Sequence, residues 1–243
     1  MRLSVRFAAA AATLALGAAA CSGSDDVVGS SPFDETATSV ATSGEVPQED
    51  IVADTLPAAA ECPPESGTDA VTQQFTAPPP FCLDPDATYS ALVETSSGDI
   101  TIEFDQTAAP EAVNSFVFLA RNNYFDDTIC HRVIQDFVVQ CGDPTATGTG
   151  GPGYRFADEL PEAGSYEIGS IAMANSGPDT NGSQFFIISG PNGSALPPLY
   201  SLFGQVPAAD LGVVAEMNAL GSADSSGVPS EELRIIDVTI TQS

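Results

Sequence analysis

The strongest constraint on the fold of this chain is a series of short apolar or alternating runs that begins after residue 84. Eight runs of five to nine residues have the length and the alternation of β-strands, and turn-forming residues separate them. Because strands this short cannot bury a core alone, they must pack together as a barrel or a sandwich. The runs are residues 89–95, 100–104, 128–134, 137–141, 170–174, 184–188, 201–206 and 233–241.

Two further segments have the spacing of amphipathic helices. The first begins at Pro110, which is acceptable in a first helical turn, and the second covers residues 208–220. Each segment places apolar side chains on one face, so we expect the two helices to cover the open ends of a closed barrel. The apolar positions are Val113, Phe116, Val117 and Ala120 in the first helix and Val213, Val214, Met217 and Leu220 in the second.

The charge of the chain excludes several classes of function. The sequence has 33 acidic residues, six arginines and no lysine. Because it lacks a basic stripe that could neutralise phosphates, we expect no nucleic-acid partner and no electrostatic binding to anionic lipids. The absence of lysine also excludes a Schiff-base enzyme and a phosphate-loop nucleotide site. Hydrophobic residues still make up 43% of the sequence, which is enough for a folded core.

The N-terminus has the features of an export signal. Residues 1–20 contain two arginines, then an apolar run, then small residues before Cys21, which is the order of a secretory signal peptide. The segment resembles a bacterial lipoprotein signal, which implies a lipid on Cys21 and an anchor at the extracytoplasmic face of the cell membrane. Lipoprotein signals prefer Leu three residues before the cysteine, and this chain has Ala18 there. Ordinary cleavage and secretion, with a free Cys21 thiol, is the alternative.

The region between the signal and the strands divides into two parts. Residues 21–61 are acidic, rich in Ser and Thr and without periodicity, so they are predicted to form a disordered tether. Residues 62–83 are rich in proline, and a cysteine stands near each end. Apart from Cys21 the chain has four cysteines, and in an exported protein an even number indicates disulfides with three possible pairings. The four are Cys62, Cys82, Cys130 and Cys141.

Two stretches of sequence point to one family. The first reads CHRVI at residues 130–134 and FVVQCGD at residues 137–143, and the second reads MANSGPDTNGSQFFI at residues 173–187. Together with FGQV at residues 203–206 they resemble the signature of cyclophilin-type peptidyl-prolyl cis-trans isomerases. The resemblance covers about residues 88–241. It implies a mainly β domain, a closed eight-stranded antiparallel barrel capped by two α-helices.

The resemblance also implies an activity and a catalytic group. Members of this family accelerate rotation about Xaa–Pro peptide bonds, whose barrier is about 18–20 kcal/mol. The reaction breaks no bond, so no cofactor and no metal are expected, and the partners are unfolded or extended proline-containing polypeptides. By the resemblance, Arg132 donates hydrogen bonds to the twisted amide, since its guanidinium carries several N–H groups in a fixed fork. A surface ion pair is the alternative role of Arg132.

Nine other residues match substrate-binding positions of the family. Some line the pocket for the proline ring, others hold the substrate backbone or orient the arginine, and two lie on a strand that pairs with the extended peptide. For the four residues that line the pocket, packing in the core is the alternative role. They are Phe137, Val138, Phe186 and Leu196 in the pocket, Tyr200 as its aromatic wall, Gln140 and Gln184 as polar groups, and Ala174 and Asn175 on the strand.

The predicted turn at residues 134–137 favours one of the three possible disulfide pairings. If it joins two antiparallel strands, Cys130 and Cys141 lie nearly opposite each other, within reach of a disulfide. The expected pairs are therefore Cys62–Cys82 and Cys130–Cys141. His131 is the only histidine, and one His with two Cys falls short of a zinc ligand set.

These observations predict a monomeric isomerase domain at residues 84–243, exported and tethered to the membrane only through Cys21. Its expected role is to assist the folding of exported proteins. The alternative is a non-catalytic module on the same barrel that binds proline-containing peptides or serves as a scaffold. A surface adhesin is a third interpretation, which rests on the tether alone.

Overall fold

The computed structural model of the protein describes residues 60–222 and 226–243. The predicted signal peptide, Cys21 and residues 21–59 of the tether lie outside the described residues, so these predictions stay predictions, as does the monomeric state. The elements in chain order are β1 (Tyr89–Thr95), β2 (Ile100–Phe104), α1 (Pro110–Arg121), β3 (Arg132–Ile134), β4 (Val138–Cys141), β5 (Ser170–Met173), β6 (Phe185–Ile188), α2 (Pro191–Ser194), β7 (Leu202–Gln205), α3 (Leu211–Ala219) and β8 (Ile235–Gln242).

The eight predicted strands are confirmed, and they form one antiparallel sheet in the order β3-β4-β6-β5-β7-β2-β1-β8. The sheet curls into a half-barrel. The prediction of a closed barrel is wrong, because the edge strands β3 and β8 do not pair along their length. Only an isolated bridge between Ile129 and Arg234 connects the segments that precede them.

The outer edge of β3 explains why the barrel stays open. Val133, in the middle of β3, donates its N–H to Gly227 O at 2.7 Å and accepts from Ser222 N at 3.2 Å. Gly227 and Ser222 therefore already bond to the backbone N–H and C=O groups of Val133, which β8 would need in order to pair with β3. In addition, β3 has only three residues, which leaves little edge to extend.

The described residues contain three helices, where the sequence predicted two. α1 begins at Pro110 as expected, and α3 lies within the predicted second helix. The prediction missed α2, a four-residue helix that is too short to show an apolar stripe. The side-chain carboxylate of Glu159 accepts hydrogen bonds from Glu111 N at 3.0 Å and Ala112 N at 2.9 Å and so caps the first turn of α1. No helix among the described residues is long and apolar enough to cross a membrane.

The described part of the chain contains two disulfides, and they are the two expected pairs. Cys130 bonds to Cys141, with Cα atoms 4.0 Å apart, and Cys62 bonds to Cys82, with Cα atoms 5.5 Å apart. The first disulfide connects the residues just before β3 to the end of β4. It therefore ties together the two strands of a hairpin whose outward side chains form the candidate site.

Candidate functional site

The β3–β4 hairpin places two polar side chains side by side. Arg132 on β3 lies directly opposite Gln140 on β4, so both side chains project from the same face of the sheet. Arg132 Nη1 donates to Gln140 Oε1 at 3.3 Å, and Gln140 Nε2 donates to Gln184 Oε1 at 2.9 Å. Gln184 Nε2 in turn donates to the backbone carbonyl of Gly150 at 2.9 Å. This chain of hydrogen bonds orients the guanidinium of Arg132.

Arg132 has no carboxylate partner within the described residues. The one ion pair found there joins Arg234 to Glu232, so no ion pair is seen for Arg132 in that part of the chain. The guanidinium lies over the ring of Phe137, with its carbon 5.8 Å from the ring centroid, in a cation–π contact. The single hydrogen bond to Gln140 leaves most of the N–H donors of Arg132 available to a ligand.

A cavity of about 250 Å³, lined by both apolar and polar side chains, lies beside Arg132. It brings together Arg132 and eight of the nine predicted substrate-binding residues. Val138 and Phe186 are almost fully buried in a second apolar cluster, separate from the main core. Each of them therefore packs in this cluster and also lines the cavity. The lining residues are Arg132, Phe137, Val138, Gln140, Ala174, Asn175, Phe186, Leu196 and Tyr200.

Tyr200 forms the aromatic wall of this cavity. Its ring lies edge-on to that of Phe186, with centroids 5.3 Å apart. Tyr166, which the sequence analysis missed, holds the wall in place: its hydroxyl donates to Tyr200 O at 2.7 Å and accepts from Tyr200 N at 3.1 Å. Burial raises the pKa of Tyr166, so its hydroxyl stays protonated and able to donate. No sequence pattern marks Tyr166, because it lies in a loop.

A second, larger cavity of about 850 Å³ adjoins the first. The two share Gln140, Ala174 and Asn175, and the ninth predicted residue, Gln184, lines the larger one. Residues 148–155 and Gln74 form a large part of its wall. An extended chain that passes from one cavity to the other would therefore lie along Ala174 and Asn175.

The carboxylate of Asp143 organises the loop that carries Gly150. Asp143 is fully buried and accepts hydrogen bonds from the backbone N–H groups of Thr145 at 2.8 Å, Thr147 at 3.1 Å, Gly148 at 2.6 Å and Gly150 at 3.0 Å. Burial raises the pKa of Asp143, but the hydrogen bonds from Thr145, Gly150 and Gly148 outweigh it and hold the pKa below its ordinary value. The charged carboxylate is thus the form that the folded loop binds best.

We expect Asp143→Asn to destabilise the protein by about 1–3 kcal/mol at pH 7, because an NH₂ group replaces one of the two oxygens that accept from the buried N–H donors. A lowered pKa in the folded state contributes stability above the pKa of the unfolded chain, and this is lost as the pH falls through the folded value. The difference between the variant and the wild type should therefore shrink below pH 4. Urea unfolding at pH 7 and at pH 3 measures it. Asp99→Asn, which removes an exposed carboxylate, should change stability by less than about 0.5 kcal/mol, and an equal loss at both pH values would contradict the role of Asp143.

His131 precedes Arg132 in the chain but lines neither of the two cavities. Its Nδ1 is buried without a hydrogen-bond partner among the described atoms, and burial lowers the pKa of the imidazole, against the influence of Asp143, which raises it. The sulfurs of Cys130 and Cys141 are bonded to each other. Within residues 60–222 and 226–243, no three His, Cys, Asp or Glu side chains are grouped so that they could hold a metal ion.

The chain resembles known proteins over the region that builds this site. Residues 90–240 match the family model described as "Cyclophilin type peptidyl-prolyl cis-trans isomerase/CLD". The chain is 38% identical over 159 residues to "Peptidyl-prolyl cis-trans isomerase-like 1" of Gibberella zeae, covering 64% of this chain and 96% of that protein. It is 39% identical over 166 residues to "Probable peptidyl-prolyl cis-trans isomerase B" of Mycobacterium leprae, covering 61% of this chain but only 56% of that protein. It therefore spans little more than half the length of the mycobacterial relative.

Solved structures show the same similarity. A crystal structure of a Cryptosporidium parvum cyclophilin type peptidyl-prolyl cis-trans isomerase matches with a TM-score of 0.57 at 35% identity, covering 63% of this chain and 98% of that one. A structure described in the same words, determined in the presence of the dipeptide Ala-Pro, matches with a TM-score of 0.56. The family model covers more than half of the chain, and the relatives and structures agree with it. The chain belongs to the cyclophilin-type peptidyl-prolyl cis-trans isomerase family.

Proposed function

We propose that this protein catalyses the cis-trans isomerisation of Xaa–Pro bonds in unfolded or extended polypeptides. The observation that carries the proposal is the position of Arg132, which lines a cavity of about 250 Å³ together with Phe137, Phe186 and other apolar side chains and has no carboxylate partner among the described residues. A cavity of this size accommodates a pyrrolidine ring. A cation with available N–H donors beside such a pocket suits a twisted prolyl amide better than it suits a purely apolar ligand.

The chemistry follows from the loss of amide resonance. As the Xaa–Pro bond twists, the proline nitrogen gains a lone pair, and Arg132 donates a hydrogen bond to it. This interaction strengthens in the transition state, because the planar amide nitrogen of the ground state is a poor acceptor. Uncatalysed exchange takes tens of seconds or longer. Bringing it to milliseconds requires roughly 6–7 kcal/mol of transition-state stabilisation.

The remaining lining residues have binding and orienting roles in this proposal. Phe137, Phe186 and Leu196 hold the proline ring while the residue before proline rotates. Gln140 keeps the guanidinium of Arg132 in place, so no reorganisation is needed as the amide twists. The reaction transfers no proton, electron or group, so these side chains suffice for it without a cofactor.

A protease-coupled assay tests the proposal, using a chromogenic prolyl peptide that the protease cleaves only when the Xaa–Pro bond is trans. We expect the protein to accelerate the slow phase in proportion to its concentration, with the reaction without added protein as the baseline. Peptide binding in a titration, together with an unchanged slow phase, would contradict catalysis. That result would favour the non-catalytic peptide-binding module.

We further propose that the protein acts on exported proteins while anchored by a lipid on Cys21. The order of charges and apolar residues in positions 1–20 supports export. The two disulfides support it independently, because disulfides persist in oxidising compartments. Metabolic labelling with a fatty-acid probe tests the anchor. We expect label on the wild type and none on Cys21→Ser, whereas an unlabelled wild type would favour ordinary secretion.

A further inference from the structure

A proline-rich segment outside the family domain lies against the fold. Residues 62–83, here called the strap, precede the region that the family model matches, and the Cys62–Cys82 disulfide closes them into a loop. The strap is fixed to the C-terminal end of α1, since Thr68 N donates to Arg121 O at 2.8 Å and Thr72 N donates to Asn122 O at 3.0 Å. Its backbone is therefore held at several points.

Phe75 anchors the middle of the strap. Only 3% of Phe75 is exposed, and its ring packs edge-on against Phe118, with centroids 4.7 Å apart. The backbone N–H of Phe75 donates to Pro152 O at 2.8 Å. At Gly153, where φ is +93°, a Cβ atom would lie 2.4 Å from Phe75 O. The strap and the loop of residues 148–153 thus approach so closely that a side chain at Gly153 would not fit.

Gln74 connects the strap to the site itself. Its Nε2 donates to Gly151 O at 2.8 Å, and the side chain lines the cavity of about 850 Å³. Gly151 is covalently linked to Gly150, whose carbonyl accepts the hydrogen bond from Gln184. The strap therefore holds Gly151 and Pro152 by hydrogen bonds. These two residues directly follow Gly150, where the chain of hydrogen bonds from Arg132 ends.

We propose that the strap is a positioning element of the isomerase site, and that Gln74 is its positioning residue. The proposal rests on the proposed function. Residues 148–153 include four glycines, and glycine-rich backbone adopts many conformations unless contacts restrict it. By holding Gly151 and Pro152, the strap keeps the Gly150 carbonyl where Gln184 can donate to it. This in turn holds Gln140 and Arg132 in the geometry that favours the twisted amide.

The neighbouring residue Gln73 provides a matched control. Gln73 Nε2 donates to Tyr124 O at 3.2 Å, so this side chain ties the strap to the loop after α1. Gln73→Glu and Gln74→Glu each replace one donating amide on the strap by a carboxylate of the same size, and only the second removes a contact with residues 148–153. Both variants should fold, because Gln74 is exposed and Gln73 is half-buried.

The experiment compares the two variants of the full chain by activity and by NMR. We expect Gln74→Glu to lower kcat by about threefold to tenfold, the range that corresponds to one net hydrogen bond, with little change in KM. The side-chain amide resonances of Gln140 and Gln184 should shift, and backbone hydrogen exchange at residues 150, 151, 153 and 154 should accelerate. Gln73→Glu should leave all these quantities as in the wild type.

The outcomes separate this proposal from the proposed function. If Gln74→Glu leaves the Gln140 and Gln184 resonances and the exchange of residues 150, 151, 153 and 154 unchanged, the strap does not position the site and the inference is wrong. If the wild type has no isomerase activity, the proposed function fails. The resonances and the exchange rates would still show whether the strap orients the side chains that hold Arg132.

Discussion

Arg132→Ala is expected to lower kcat/KM for a prolyl peptide by about 10²-fold to 10³-fold, the usual cost of removing one preorganised donor from a transition state. The loss should fall mainly on kcat, because the guanidinium assists the twisted amide and the ring is held by Phe137, Phe186 and Leu196. Thermal unfolding should change little, since Arg132 forms no ion pair among the described residues. The protease-coupled assay and NMR line-shape analysis together measure both constants.

Two further variants control for charge and for shape. Arg234→Ala removes the same charge from an exposed pair with Glu232 and should leave activity unchanged. Arg132→Lys keeps the charge but lacks the planar fork, so it should recover only a small part of the activity. If Arg132→Ala keeps the wild-type kcat/KM, Arg132 is not the catalytic group.

The second large effect concerns stability. Phe116→Ala is expected to lower the free energy of unfolding by about 3–5 kcal/mol, because it opens a cavity at the centre of the main core. The Phe116 ring on α1 contacts four other rings, with centroid distances of 5.3 Å to Phe104, 4.8 Å to Phe125, 5.4 Å to Phe185 and 5.7 Å to Phe203. These contacts connect α1 to β2, β6 and β7, so the loss should spread over the whole sheet.

Phe81→Ala is the matched control for this prediction. Phe81 is the same residue type, but 54% of its surface is exposed, so its replacement should change stability by less than about 0.5 kcal/mol. Urea unfolding of the three proteins measures the differences. Equal stabilities for Phe116→Ala and Phe81→Ala would show that the aromatic cluster does not hold the helix to the sheet.

The strands could be predicted because their signal is local. Each run alternates or is continuously apolar over a few residues, so that the pattern alone predicts a strand. Closure of the barrel could not be predicted in the same way. It depends on whether β8 or the segment around Gly227 reaches the edge of β3, and both are distant from β3 in sequence. The resemblance favoured a closed barrel. Because Gly227 and Ser222 bond to the backbone of Val133, the barrel is open at this edge.

The site also contains residues that could be assigned from the sequence and residues that could not. Residues within the two family stretches, such as Arg132 and Phe186, could be assigned from the resemblance, and the structure gathers them around one cavity. Tyr166, Gly150 and Gln74 could not, because they lie in loops without periodicity. Gln74 also lies outside the family region altogether. Their contacts become visible only when the chain is folded, since each joins a loop residue to a residue distant in sequence.

NMR exchange spectroscopy on an Ala-Pro peptide tests the central claim most directly, because it observes the cis and trans forms at equilibrium without a coupling enzyme. With the protein at a small fraction of the peptide concentration, we expect exchange cross-peaks between the cis and trans signals for the wild type and none for Arg132→Ala. Wild-type protein that binds the peptide, as shown by shifted resonances, and yet produces no cross-peaks would contradict the account.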